Sequence, residues 1–159
     1  MLTIKIKSML GKLSGSEIEH ILSHNLFGRI GCYDAGRIYV VPVNYVYDGK
    51  DIIAHSVVGM KIQMMRNNPQ VCFEVDEVHD FTNWKSVIVL GEYQEIEDEM
   101  ERYRAIKFFV DRTLRIKISE TAIPPETSER RLHPRSPGMI KPVIYRIVAL
   151  EKSGRYEKD

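Results

Sequence analysis

The sequence predicts a mainly β protein, a meander or Greek-key barrel of antiparallel hairpins with a few flanking helices. Three observations carry that prediction. Val71, Phe73 and Val75 alternate with Cys72, Glu74 and Asp76, the period-two pattern of a strand with one buried and one more polar face. Asp48-Gly49-Lys50 separates a run ending at Tyr47 from one beginning at Asp51, and Asp-Gly between such runs is a strong hairpin signal because its tight turn wants positive φ. Ala35-Gly36 divides Gly31–Asp34 from Arg37–Tyr47.

Taken in order, Ser14-Gly15-Ser16 offers N-caps before Glu17-Ile18-Glu19-His20-Ile21-Leu22, with acidic residues in the first turn and an Ile18, Ile21, Leu22 stripe. That pattern predicts a short helix ending near Asn25. The hairpin strands follow. Gly59-Met60-Lys61, continued by Ile62, Met65 and Arg66 until Asn67-Asn68-Pro69, predicts a second short helix. Ser86–Tyr93 and Lys141–Leu150 read as longer strands. Between them the acidic stretch Glu95–Glu101 leads into a helix with Met100, Tyr103, Ile106, Lys107 and Val110 at helical spacing, its polar first turn favoured by the helix dipole.

Four of the seven prolines fall between Ala122 and Gly138, so residues 118–141 read as a long loop or partly disordered connection. Arg130, Arg131, His133 and Arg135 in it would form a cationic lid if folded over a site, or else a solvated loop. No second domain or repeat is visible, and residues 1–159 are read as one domain.

Charge and cysteine content exclude several functions. Lys and Arg total 23 against 22 Asp and Glu, a formal net charge of +1, which gives no global basic field for nucleic acid or a membrane surface. Apolar runs fall short of a membrane span, and MLTIKIKSMLGKL lacks a sustained hydrophobic segment with a small-residue cleavage site, so the chain is expected to be cytoplasmic. Cys32 and Cys72 each lie within a strand. No CxxC or Cys/His cluster is present, and His20, His24, His79 and His133 are scattered without metal spacing; no metal site is expected.

Two features point to a ligand. In Arg37–Tyr47, Ile38, Val40 and Val46 share one face while Tyr39, Val41, Val43, Tyr45 and Tyr47 share the other. A small barrel fills its interior with one face of a strand, so the other needs a helix, a ligand or a second subunit. Pro42 cannot donate to a ladder, which places it at an edge or bulge. The second feature is Lys61, in the first turn of its helix just after His55 and Ser56. Free amides and the dipole at such a start favour an anion, and an ammonium adds a full charge; a solvated surface lysine is the plain alternative.

The landmarks Gly28-Arg29-Ile30-Gly31, Pro42-Val43-Asn44-Tyr45-Val46-Tyr47, HSVVGMK, RNNPQVCFEVDEV and Trp84-Lys85-Ser86-Val87-Ile88-Val89-Leu90-Gly91 occur in an order that resembles the FMN-binding split-barrel proteins related to pyridoxamine 5'-phosphate oxidase, most of all their nitroimidazole-resistance branch. The likeness covers about Gly28 to Glu97, and Val143–Leu150 with Ser153-Gly154-Arg155 extends it. It departs at the phosphate turn, where the oxidases carry Arg-Lys and this chain has Met60-Lys61.

The resemblance implies a six-stranded antiparallel Greek-key split barrel with flanking helices, assembled as a homodimer. It implies FMN, with Lys61 and Ser56 at the phosphate, Pro42, Val43, Asn44 and Tyr45 along the ring or ribityl chain, Lys85 and Ser86 approaching from the partner subunit, and Trp84 near the dimer cleft. Trp84 is otherwise a packing residue. For His55 three readings stay open: a structural histidine, a proton donor beside the reduced flavin, or an axial haem ligand, since some relatives handle haem. A flavin carries its own chemistry, so the lack of a catalytic triad does not count against an enzyme. The implied activity is electron transfer from a nicotinamide donor to a small flat acceptor such as a nitroaromatic. Pyridoxamine phosphate oxidation and a non-catalytic FMN or haem module are the alternatives.

Overall fold

The computed structural model describes residues 8–120 and 141–159. Strand β1 (Met9–Lys12) precedes helix α1 (Gly15–His24), then β2 (Phe27–Asp34), β3 (Arg37–Tyr47), β4 (Ile52–Ser56), α2 (Met60–Asn67), β5 (Gln70–Asp80), β6 (Asn83–Glu95), α3 (Glu99–Glu120) and β7 (Val143–Lys158). The sheet runs β1-β7-β4-β3-β2-β5-β6, and β6 pairs again with β7. Six antiparallel strands therefore close on themselves, with β1 appended to the far end of β7. This is the predicted split barrel.

The turns follow the local chemistry. Ala35 and Gly36 both take positive φ, 48° and 77°, which gives the β2–β3 hairpin a turn that matches strand twist. Ser14 caps α1 through its hydroxyl, which accepts from Glu17 N while the Glu17 carboxylate accepts from Ser14 N, a capping box that satisfies two end amides. At Gly91 the β6–β7 register shifts, and a methyl there would stand 2.7 Å from Ile147 Cγ2. Close strand approach requires glycine at this bulge.

Odd-numbered residues of β3 face inward. Val43, Tyr45 and Tyr47 join Ile30, Phe73, Val75, Val89 and Tyr145 in the core. Helices stop the two ends of the barrel: α1 contributes Ile18, Ile21 and Leu22, and α2 contributes Ile62, Met64 and Met65. On the outside, Val46, Ile53 and Ile144 are covered by Ala105 and Phe109 of α3. The sequence stripe on α3 is not the one that packs: Met100 and Tyr103 are 60% and 63% exposed. Helix α3 runs to Glu120, past the break read at Ile118; the proposed lid residues Arg130, Arg131, His133 and Arg135 lie outside the described residues. Strand β7 continues eight residues beyond Leu150, because it must pair with the whole of β6 and with β1.

Candidate functional site

Helix α2 starts against the end of β4. Its N-cap is Gly59, and among the described residues no side chain caps it, so its first amides are donors a ligand could use. Lys61 in that turn is half-buried. Burial pushes its pKa below the ordinary lysine value, partly offset by Cys32, and among the described residues no carboxylate pairs with it. A partly desolvated ammonium without a counterion is suited to receive an anion.

His55 lies on the outer side of β4, its ring edge-on to Phe109 of α3 with centroids 4.8 Å apart and planes at 76°. Burial first, then the Lys61 charge, lowers its pKa. Ser56 Oγ donates to Val57 O at 2.9 Å, within the turn that leads into α2. Val57, Val58 and Met60 are exposed apolar residues around this turn.

Beside the turn, β3 is split. Strand β4 pairs only with Tyr45–Tyr47, so the stretch from Arg37 to Asn44 bonds to β2 alone and has an open edge. Tyr45 N donates to Leu26 O at 2.9 Å, on the β2 side. By the alternation of a ladder, Val43 also bonds toward β2 while Pro42 and Asn44 present their backbone to the open edge. Pro42, which lacks the N–H, thus sits where none is required. Pro42 and Asn44 are exposed, whereas the Val43 and Tyr45 side chains are 6% and 0% exposed. The Val43 and Tyr45 side chains pack in the core, Tyr45 donating through its hydroxyl to Leu22 O at 2.9 Å.

Trp84, Lys85 and Ser86 lie at the other end of the barrel. Glu95 of β6 meets Arg66 of α2, and Ser86 is nine positions back along the same strand, about 30 Å away at ~3.3 Å per residue. Lys61 lies near Cys32, whose ladder partner Val71 pairs with Gly91, five positions along β6 from Ser86. Trp84 Nε1 donates to Glu157 Oε2 at 3.0 Å, and Ser86 Oγ to Glu74 Oε1 at 3.3 Å. Trp84 and Lys85 line a cleft of about 630 Å³ with Glu17, Glu77, His79 and Tyr156.

Between these ends an apolar strip runs across the outer face. Gly31 pairs with Val40 and with Cys72, Tyr33 with Ile38, and Cys72 with Leu90. Ile38, Val40, Tyr33 and Leu90 are 76%, 61%, 52% and 45% exposed. Sequence reading identified the β3 half of this strip and missed Leu90 and Ile88, which a count of outward positions on β6 would have found. It also missed Phe109 as the neighbour of His55; the signal was its i, i+4 spacing from Ala105.

The model of the Pyridoxamine 5'-phosphate oxidase family matches residues 14–143, most of the chain, and the protein belongs to that family. An uncharacterised protein of Rhizobium meliloti (strain 1021) is 33% identical over 84 residues, 53% of this chain and 56% of that protein; the match spans just over half of that relative. Among solved structures, an FAD-binding protein of Mesorhizobium loti superposes with a TM-score of 0.71 at 29% identity, covering 93% of this chain and 98% of that one. A candidate 5-nitroimidazole antibiotic resistance protein of Bacteroides thetaiotaomicron VPI-5482 gives a TM-score of 0.67 at 19% identity, covering 96% and 92%. Among the described residues, no helix is long and apolar enough to cross a membrane, and no group of three or more His, Cys, Asp or Glu is placed to hold a metal ion.

Proposed function

We propose that this protein is an FMN-binding, homodimeric oxidoreductase that passes electrons from a nicotinamide donor to a small flat acceptor such as a nitroaromatic. The observation that carries this reading is the half-buried Lys61, which among the described residues pairs with no carboxylate and stands at a helix start no side chain caps, beside the open edge and apolar outer face of β3. The FAD-binding relative, which spans nearly the whole chain, supports a flavin as the ligand. The single phosphate expected at Lys61 favours FMN.

When bound, the flavin ring supplies the hydride and electron chemistry. The chain supplies position and exclusion of water. Lys61 and the Met60, Lys61 and Ile62 amides hold the phosphate; the Pro42–Asn44 edge and Val40 give the ring an apolar bed. Trp84, Lys85 and Ser86 of the partner subunit close the site. Burial of the apolar strip of β3, β2 and β6 against a second copy drives that assembly.

The test is reconstitution. Apo-protein incubated with FMN or FAD and freed of excess should show the two-banded absorption of an oxidised flavin, with FMN retained in preference. The holoprotein should then oxidise a nicotinamide in the presence of a nitroaromatic. Failure to retain either flavin overturns the reading; retention without turnover leaves a non-catalytic flavin module.

A further inference from the structure

The sequence reading found no metal spacing among the histidines, and helix α1 corrects it for one pair. His20 and His24 are four residues apart within α1, which sets them one turn above the other on a single face. Ile21 and Leu22 of the same helix are buried in the core, while both histidines are exposed. The pair therefore looks outward. Its rings stack, with centroids 3.8 Å apart and planes at 23°.

One ring is also fixed in its tautomer. His24 Nδ1 lies 2.9 Å from His20 O, and a carbonyl oxygen only accepts, so in the neutral ring Nδ1 carries the proton and Nε2 keeps its lone pair. A backbone carbonyl on the far nitrogen is the arrangement that aims a metal-binding histidine. Two nitrogens sharing a tetrahedral ion at ~2.0–2.1 Å stand about 3.3 Å apart, a separation that stacked rings 3.8 Å apart reach with little side-chain rotation. Among the described residues no third His, Cys, Asp or Glu converges on the pair, so water completes the coordination.

We propose that His20 and His24 form a two-histidine chelate on α1 for a divalent transition ion of the class that prefers imidazole, such as Zn2+, Ni2+ or Cu2+. The ligands are Nε2 of His24 and a ring nitrogen of His20. Histidines four apart on a helix hold zinc in hydrolytic metal sites, where a glutamate follows the first histidine as the base. Here Ile21 occupies that position and is buried, so the ion binds without supplying hydrolysis. It closes the last turn of the helix that stops one end of the barrel, and an ion held by the folded chain alone adds to its stability. The site is independent of the flavin reading.

The probe is zinc chloride, titrated calorimetrically into the untagged full chain after chelator treatment, in a non-coordinating buffer slightly above neutral pH, where imidazoles are uncharged. One zinc per chain is expected. His20→Ala and His24→Ala should each weaken binding by at least ~10-fold, and both positions are exposed, so the fold should survive, as circular dichroism would verify. His79→Ala, which changes an exposed histidine of β5, should bind as wild type. Zinc should also raise the melting temperature of wild type and of His79→Ala while leaving both α1 variants unmoved, which distinguishes a site on the folded helix from ions held by the unfolded chain. Absence of zinc binding in wild type overturns the proposal. So does wild-type affinity in either α1 variant, which puts the ion on other ligands, and so does one zinc per two chains, which makes it a bridge between copies.

Discussion

Lys152 Nζ donates to Glu19 Oε1 at 2.6 Å across 133 residues of sequence, tying the last strand of the barrel to its first helix. Tyr47 completes the link: Lys152 also donates to its hydroxyl at 2.6 Å, and that hydroxyl donates to Glu19 Oε2 at 2.6 Å. Elements α1, β3 and β7 meet in one ring of hydrogen bonds.

The link makes stability depend on pH. Burial acts to raise the Glu19 pKa, but the hydrogen bonds from Lys152 and Tyr47 outweigh it and the net shift is downward. A depressed carboxylate contributes stability above its unfolded pKa, near 4.3, and loses it as pH falls through the lowered folded value. Because both side chains are partly exposed, Lys152→Met should cost only about 0.5–1 kcal/mol at pH 7. Urea denaturation should show the difference from wild type shrinking as pH falls below ~4. A difference that does not change with pH means that Lys152 acts through packing alone.

Tyr45→Phe removes the buried donor to Leu22 O and leaves that carbonyl unsatisfied. The expected cost is about 1–2 kcal/mol in chemical denaturation, with FMN affinity unchanged. Loss of flavin at unchanged stability would return Tyr45 to the site.

Gly91→Ala drives a methyl into Val148 O and Ile147 at the β6–β7 bulge. It should destabilise by about 2–3 kcal/mol, seen as a lowered melting temperature. A neutral result would mean that the two strands separate there without cost.

The apolar strip predicts assembly. Light scattering should give a mass near twice 18.4 kDa, and Val40→Glu with Leu90→Glu should yield a folded monomer that has lost its flavin. A monomer with full flavin contradicts the two-chain site.

Much of this was legible because turns and caps are local. Asp48-Gly49 and Ala35-Gly36 set the hairpins, Ser14 and Glu17 set α1, and Gly59-Met60-Lys61 set α2. What stayed hidden depends on partners distant in sequence. Met9–Lys12 becomes a strand because the end of β7 is there to pair with it, and Glu151–Lys158 lacks the alternation that would announce its own. Pro42 signalled an edge, but which face of β3 is interior follows from its pairing with β2. That assignment moves Val43 and Tyr45 into the core.

The measurement that tests the central claim most directly is FMN titration of apo-protein for Lys61→Ala against Lys50→Ala, an exposed lysine in the β3–β4 turn. A charge-assisted phosphate contact contributes about 1.5–3 kcal/mol, so Lys61→Ala should weaken binding more than ~10-fold while Lys50→Ala binds as wild type. Equal affinity in the two variants would place the phosphate away from α2 and contradict the proposed site.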